Sequence, residues 1–282
     1  MHQRWLSIAT VILSLTVARG AAAQPRPLPT ESVEGPGAGN IALQTSVDYA
    51  RDVRFTLSGL GGDLWRVGLV RIDVGLSDAA SFDLNGGVRD HLTITSRTPA
   101  VFTDLLRLSN PSATGDFDDI VVGTKIRVVD QGHGNPAIGV RVATRLPNAK
   151  HRSGLGQNTT DFYGSVIFER SLRAFLAIGN LGYGILGDPL NSHRTVGSFL
   201  YSVELRQQLS HSISVVERLD GRTGPREPGL EPRSIARAGV LWTRAAWWVE
   251  TDGTVGLTER DGRVGAAITT GFVFHAFEAR TP

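Results

Sequence analysis

The sequence predicts an all-β protein, a closed antiparallel transmembrane β-barrel of about twelve strands. Two observations support this prediction: apolar and polar residues alternate along about a dozen segments, and the connections between those segments are alternately short and long. From Phe82 to Ile94, for example, one parity is mostly apolar and the other mostly polar. Because hydrocarbon offers no hydrogen-bond partner to an open sheet edge, strands cross a membrane only as a closed barrel.

Residues 1–23 have the features of a secretory signal peptide. His2 and Arg4 precede an apolar run from Trp5 to Ala18, and three alanines end at Ala23. The alternative is a membrane anchor, but this run is shorter than the ~18 apolar residues of a spanning helix and is interrupted by Ser and Thr. We therefore expect export and cleavage after Ala23.

The mature chain is predicted to carry no net charge. Of 29 basic residues, Arg4 and Arg19 lie in the leader, and the remaining 27 balance 27 acidic residues. The arginines occur singly and not in runs, which disfavours a nucleic-acid partner. The seven histidines show no metal-ligand spacing and the chain has no cysteine, so we expect no metal, no cofactor and no disulfide.

Residues 24–40 are rich in Pro, Gly and isolated charges, which disfavours both a helix and a central strand. Two interpretations are open: a flexible periplasmic arm, or a plug that enters the barrel. The segment has no repeat and no strongly apolar run, which favours the flexible arm. The barrel domain is then expected to occupy residues 41–282.

Twelve strands are predicted, an even number as in single-chain bacterial barrels. Short connections are expected on the periplasmic side together with both termini, and long loops on the outside. The predicted long loops include residues 54–63, 96–116, 147–159, 187–196 and 220–233. The strands lie near residues 41–53, 64–76, 80–95, 117–130, 136–146, 160–171, 174–186, 197–209, 212–219, 234–243, 246–258 and 263–277.

Side-chain parity assigns the apolar face of each strand to lipid and the charged face to the lumen. A charge on the lipid face costs up to about 4 kcal/mol at the midplane, so charged residues are expected to point inward. Arg141 and Arg145 share one strand face, and Lys125 and Arg127 are expected beside them, which predicts a basic patch that selects anionic solutes. An interlocked salt-bridge network that closes the lumen is the equally weighted alternative. The lumen-facing, solute-contact candidates are Arg71, Asp73, Arg89, His91, Lys125, Arg127, Arg141, Arg145, Glu169, Glu204, Arg206, Arg237 and Glu250.

Four segments resemble an outer-membrane β-barrel family assigned to transport in the MetA pathway of phenol degradation. They run from Gly115 to Lys125, Arg145 to Ala149, Thr160 to Ser165 and Asn180 to Pro189. The resemblance implies a bacterial outer-membrane protein that passes small aromatic or hydrophobic molecules, and it brings no catalytic residues. The resemblance extends from about Ser46 to the C-terminus, and the residues that carry it lie mostly in turns and strand ends.

The C-terminal strand is similar to the signal by which the barrel-assembly machinery recognises its substrates, with spaced aromatics at Phe272, Phe274 and Phe277. The expected partners are this machinery, the lipid bilayer of the outer membrane and a small-molecule solute. The predicted function is a channel or transporter for small solutes, which include aromatic or anionic compounds. A structural or adhesive barrel with an occluded lumen is the alternative. A hydrolase is disfavoured, because Asp118-Asp119 and Ser192-His193 lack a recognisable catalytic arrangement, and we expect no enzyme activity.

Overall fold

The computed structural model describes residues 30–132, 134–258 and 260–278, and the expected signal peptide lies outside these residues. Within these ranges, no helix is long and apolar enough to cross a membrane. The described chain forms one antiparallel sheet of thirteen strands. They are β1 (Asn40–Phe55), β2 (Leu60–Gly75), β3 (Ala80–Arg97), β4 (Ala113–Asp116), β5 (Ile120–Val129), β6 (Ala137–Leu146), β7 (Asp161–Leu172), β8 (Phe175–Asp188), β9 (Asn191–Gln208), β10 (Ile213–Arg222), β11 (Arg233–Arg244), β12 (Trp247–Gly256) and β13 (Val264–His275).

The sheet closes into a barrel because its first and last strands pair with each other. β1 is hydrogen-bonded to β2 on one side and to β13 on the other, with Asn40 opposite His275 and Arg51 opposite Val264. β3 joins β2 to β5, and each later strand pairs with the next in chain order. The predicted closed antiparallel barrel of twelve strands is therefore confirmed, and β4 is an additional short strand.

β4 covers the part of β3 that β5 does not reach. The first half of β3, Ala80 to Asn85, pairs with β5, and residues Asp90 to Thr93 pair with β4. β4 belongs to the connection between β3 and β5, which the sequence predicts as a long outer loop. The edge of β3 at this level is thus paired, as closure in a membrane requires.

The outer surface of the barrel is apolar over most strands. Val128 is 62% exposed and Val142 is 64% exposed, and Phe199, Val203 and Leu205 are exposed in the same way on β9. Their strand neighbours of opposite parity, such as Arg141 and Glu204, are buried. This alternation confirms the predicted lipid and lumen faces for β5, β6 and β9.

Two connections predicted as long outer loops are short hairpins. β1 and β2 are joined by residues 56–59, and β8 and β9 by residues 189–190, so the paired strands continue past the predicted loop boundaries. Val53, Phe55, Leu60 and Leu64 from the first hairpin are buried in one apolar cluster with Leu92. This long-range burial extends the strands, and the local sequence gives no signal of it.

A bulge in β2 reverses which residues point inward. Gly68 is an extra residue opposite β1, between the pairs Ser46 with Leu69 and Val47 with Val67, and its φ is +69°. Before the bulge Arg66 is buried, and after it the inward residues are Arg71 and Asp73. Parity counted along an uninterrupted strand is therefore valid on only one side of Gly68.

The inward assignment of Arg89 and His91 is wrong for the same reason. Arg66 lies opposite Asp90 in the β2–β3 register, and both side chains are buried on the inner face. Arg89 and His91 have the opposite parity to Asp90, and Arg89 is exposed. β3 therefore changes parity between its two halves, and Asp90 takes the inward place predicted for its neighbours.

Replacing Gly68 by Ala is expected to destabilise the folded barrel by about 1–2 kcal/mol, because an L-residue in the left-handed region brings its Cβ too close to the backbone. The new Cβ would also lie 3.2 Å from Val88. Urea unfolding of the protein refolded into lipid vesicles measures the difference. Gly179→Ala on β8 is the matched control, since its Cβ meets no atom within 4 Å. An equal loss in both variants would contradict the role of the bulge.

Candidate lumen site

The barrel encloses a cavity of about 630 Å³ between two charged walls. One wall is formed by β2, β3, β5 and β6, and the other by β9 to β12, which lie on the opposite side in the strand order. A volume of this size accommodates a small organic molecule and not a folded polypeptide. The cavity is the candidate solute site.

The N-terminal segment of residues 30–36 lines this cavity from inside the barrel. Its backbone at Glu31 makes two hydrogen bonds with Asn180 on β8: the Glu31 N–H donates to Oδ1 at 2.6 Å, and Asn180 Nδ2 donates to the Glu31 carbonyl at 2.9 Å. On β7, Glu169 accepts hydrogen bonds from the Ser32 hydroxyl at 2.6 Å and the Val33 N–H at 2.8 Å. We call residues 30–36 the inner segment.

The carboxylate of Glu31 is held by arginines of the first wall. Arg71 binds both oxygens, at 2.5 and 2.8 Å, and Arg141 Nε lies 3.7 Å from Oε1. Burial alone would raise the pKa of Glu31, but the attraction of Arg71 and Arg141 outweighs it and lowers the pKa to about 2. Glu31 is therefore ionised at physiological pH.

The rest of the inner segment is bound by one lysine and one apolar pocket. Lys125 Nζ donates to the carbonyls of Ser32 and Glu34, at 2.6 and 2.7 Å. Val33 is 2% exposed and is buried in a cluster with side chains of β6, β7 and β8. Arg127, closer to the hairpin that joins β5 to β6, pairs with the Glu34 carboxylate at 2.7 Å.

Of the two interpretations of residues 24–40, the contacts of the inner segment fit the one in which the chain enters the barrel. Composition favoured the free arm, because a Pro- and Gly-rich segment has little apolar surface of its own to bury. The wall side chains supply what the segment lacks: partners for its backbone groups and its charges. Residues 24–29 lie outside the described residues, and Asn40 already belongs to β1.

The second wall carries a separate ion cluster centred on Arg218. Arg218 Nε lies 2.6 Å from Glu204, and its guanidinium also pairs with Glu250. Arg206 binds the other oxygen of Glu204 at 2.7 Å, and Arg237 lies 3.1 Å from Asp220. Burial of these charges is tolerable because they neutralise each other.

Sequence reasoning missed Arg218, which has more carboxylate partners than any other arginine of this wall. Along β10, Val215 and Val216 stand side by side, and Glu217 has the outward parity. Alternation is therefore poor around Arg218, and side-chain parity could not assign this residue to the inner or the outer face. Its cross-strand partners, Glu204 on β9 and Arg237 on β11, were the available signal, but strand register is needed to use them.

The four residues of the predicted basic patch are each paired in the structure. Arg141 binds Asp83, with Nη2 3.0 Å from Oδ2, and Lys125 and Arg127 bind the inner segment as described. Arg145 lies 2.7 Å from Asp161 and donates to Gln157 at 2.9 Å in the next loop. The charges face the lumen side of the barrel, but they do not form a free positive surface.

The end of the barrel opposite the β5–β6 hairpin, which the sequence predicts to face outside, is covered by loops. Gln157 Nε2 donates to the Gly229 carbonyl at 2.6 Å, which joins two loops across the opening, and Arg222 Nη2 at the end of β10 donates to the same carbonyl at 3.1 Å. Leu155 and Leu230 from these loops are buried in the apolar clusters beneath them. We call residues 147–160 and 223–232 the outer cap.

Eleven of the thirteen sequence-predicted lumen residues have inward-facing side chains. Arg89 and His91 are the exceptions, and the contact of the others with a solute stays a prediction. Six of the inward residues line the cavity without belonging to the patch, namely Arg71, Asp73, Glu204, Arg206, Arg237 and Glu250. The eleven are Arg71, Asp73, Lys125, Arg127, Arg141, Arg145, Glu169, Glu204, Arg206, Arg237 and Glu250.

The residue pairs weighed for catalysis lie in different surroundings. Ser192 and His193 lie at the start of β9 and not in a loop, and both are exposed. Asp118 and Asp119 are buried, and Asp119 accepts hydrogen bonds from the Asn148 and Ala149 N–H groups, which fixes a loop. Among the described residues, no group of three or more His, Cys, Asp or Glu side chains could hold a metal ion.

No protein-family model and no curated protein matches this sequence. Among solved structures, the chain is similar to the translocator domain of the autotransporter NalP from Neisseria meningitidis, with 12% identity, a TM-score of 0.45, and coverage of 84% of this chain and 89% of that one. A FadL homologue from Pseudomonas aeruginosa has 10% identity, a TM-score of 0.41, and coverage of 85% and 91%. The toluene transporter TodX from Pseudomonas putida has 7% identity, a TM-score of 0.37, and coverage of 84% and 89%. None of these distant similarities bears on what this chain binds, and membership in the MetA-pathway family stays a prediction.

Proposed function

We propose that this chain is a bacterial outer-membrane channel that passes small solutes through a lumen obstructed by its own inner segment. The observation on which the proposal rests is the cavity of about 630 Å³ with a charged lining on both walls. Such a lining is costly to bury unless it is hydrated or paired, and pairing with a displaceable segment keeps the lumen available to a solute.

The way in which the inner segment is bound supports displacement. At Glu31, Ser32 and Val33 its partners are side chains of the wall, namely Arg71, Asn180 and Glu169. A solute or water can replace each such hydrogen bond singly, whereas removing a strand from a β-ladder breaks many backbone hydrogen bonds together. The segment is therefore better suited to moving than any strand of the barrel.

The proposal includes the narrower expectations from the sequence. The closed barrel with its apolar exterior suits the outer membrane, to which the predicted signal peptide would direct it. β13 would be the strand recognised by the barrel-assembly machinery. The resemblance to the MetA-pathway family adds aromatic compounds to the expected solutes, and no enzyme activity is expected.

The second candidate function is a structural barrel with a permanently closed lumen. The outer cap favours it, because Leu155 and Leu230 are buried and Gln157 of one loop donates a hydrogen bond to the Gly229 carbonyl of the other. The two functions differ in one measurable property. A channel conducts once its obstructions are removed singly or together, and a scaffold does not.

Deleting residues 30–36 is expected to raise the ion conductance of single barrels in planar bilayers several-fold, because the deletion empties one side of the lumen. The control is Glu34→Gln, which removes one ion pair with Arg127 at the edge of the segment and leaves the other contacts. An unchanged conductance in the deletion variant, with normal folding by gel mobility, would favour the scaffold.

Gly229→Ala is expected to loosen the outer cap and increase solute flux in liposome-swelling assays. Gly229 has φ of +90°, and a Cβ there would lie 2.6 Å from Pro189 Cγ and 3.0 Å from Gln157 Nε2. A variant that combines Gly229→Ala with the deletion of residues 30–36 should show more flux than either single variant, because two obstructions in series are removed. Gly132→Ala, whose Cβ meets no atom within 4 Å, is the control. Absence of flux in the combined variant argues against a channel.

A further inference from the structure

The inner segment brings a carboxylate to a place where the wall supplies positive charge. The charges that act most strongly on Glu31 are those of Arg71, Arg141 and Lys125, all positive. The wall supplies two carboxylates to these arginines: Asp73 pairs with Arg71, and Asp83 pairs with Arg141 and lies 3.4 Å from Arg71. Glu31 is a further carboxylate, which the barrel wall itself does not provide.

Donors at this position remain available for a bound anion when Glu31 is absent. Two Arg71 nitrogens bind the Glu31 oxygens, and Lys125 Nζ donates only neutral-acceptor hydrogen bonds, to two carbonyls of the inner segment. Arg141 Nη1 is buried and has no hydrogen-bond partner within the described part of the chain. Without the inner segment, Arg71 Nη1 and Lys125 Nζ would lose these acceptors, whereas Arg71 Nη2 would keep Asp73.

The surroundings of the next two residues add an apolar and a polar feature. Val33 is buried against Ala137, Ile167 and Ile178, which form a small apolar pocket. Glu169 lies on the other side of the segment, where its partners are two neutral donors, the Ser32 hydroxyl and the Val33 N–H. The site therefore receives a carboxylate, a compact apolar group and a neutral hydrogen-bond donor from three consecutive residues.

We propose that the cavity at Arg71, Arg141 and Lys125 binds small organic monocarboxylates with a compact apolar body, and that Glu31 occupies this site as an internal substitute for the solute. The inference rests on the proposed channel function, and it adds the chemical class of the solute. The charged end replaces the Glu31 carboxylate, and the apolar body lies toward the Val33 pocket. A bound solute and the bound inner segment then exclude each other.

The test measures binding of benzoate to the purified barrel in detergent by isothermal titration. Benzamide is the neutral probe of the same shape, and acetate is the carboxylate without an apolar body. We expect benzoate to bind the variant lacking residues 30–36 at least about tenfold more tightly than it binds the full chain, because it no longer competes with Glu31. The affinity of that variant for benzoate should also exceed its affinity for benzamide by about tenfold, as expected for a charge-assisted hydrogen bond.

A second variant tests the position of the site. In the background lacking residues 30–36, Arg71→Gln should abolish the preference for benzoate over benzamide. Arg170→Gln is the matched control, because Arg170 donates to the Gly134 carbonyl at a periplasmic turn and lies away from the cavity. Glu31→Gln in the full chain removes the competing charge without a deletion, and it should also strengthen benzoate binding, so the result does not depend on one deletion folding correctly.

The outcomes separate this inference from the proposed function. Equal binding of benzoate and benzamide, or binding that Arg71→Gln leaves unchanged, would overturn the carboxylate site even if the deletion variant conducts ions. Selective benzoate binding in a barrel that shows no flux would retain the site and overturn the channel. Binding of acetate as tight as that of benzoate would refute the role given to the Val33 pocket.

Discussion

The structure depends on one constraint: in hydrocarbon, every backbone N–H and C=O of the sheet needs a partner within the protein. β1 meets it by pairing with both β2 and β13, so the two ends of the chain's sheet join. β4 meets it locally, where β5 leaves half of β3 unpaired. Closure then divides all side chains into an outer apolar set and an inner set that contains most of the charge.

Closure creates the second requirement, neutralising the charges it encloses. Each wall of the lumen does this with interlocked arginines and carboxylates, such as Arg141 with Asp83 and Arg218 with Glu204. The first wall is completed by Glu31 from the inner segment. The ion pair between Glu31 and Arg71 thus links the inner segment electrostatically to the lumen wall.

The sequence left two alternatives open, a water-filled bore with an anion-selecting basic patch and a closed salt-bridge network, and the structure has paired charges with two kinds of partner. Arg127 and Lys125 are paired, but their partners belong to the inner segment and not to the barrel wall. Arg145 is paired with Asp161 of the wall itself and with the outer cap. Partners from the inner segment lie nearer the hairpin that joins β5 to β6, and partners from the wall and the outer cap lie nearer the opposite end, so the two ends differ physically.

The sequence by itself determined the barrel class, the approximate number of strands and the inner or outer face of most residues, because a strand's side chains alternate with a period of two. It could not determine parity beyond Gly68, since a bulge shifts the count, and so Arg89 and His91 were misassigned while Arg66 and Asp90 were missed. Only the tertiary structure decided strand register, the extent of the outer hairpins and the partners of each charge. Those properties depend on contacts between residues far apart in the chain, such as Glu31 with Asn180, which no local pattern encodes.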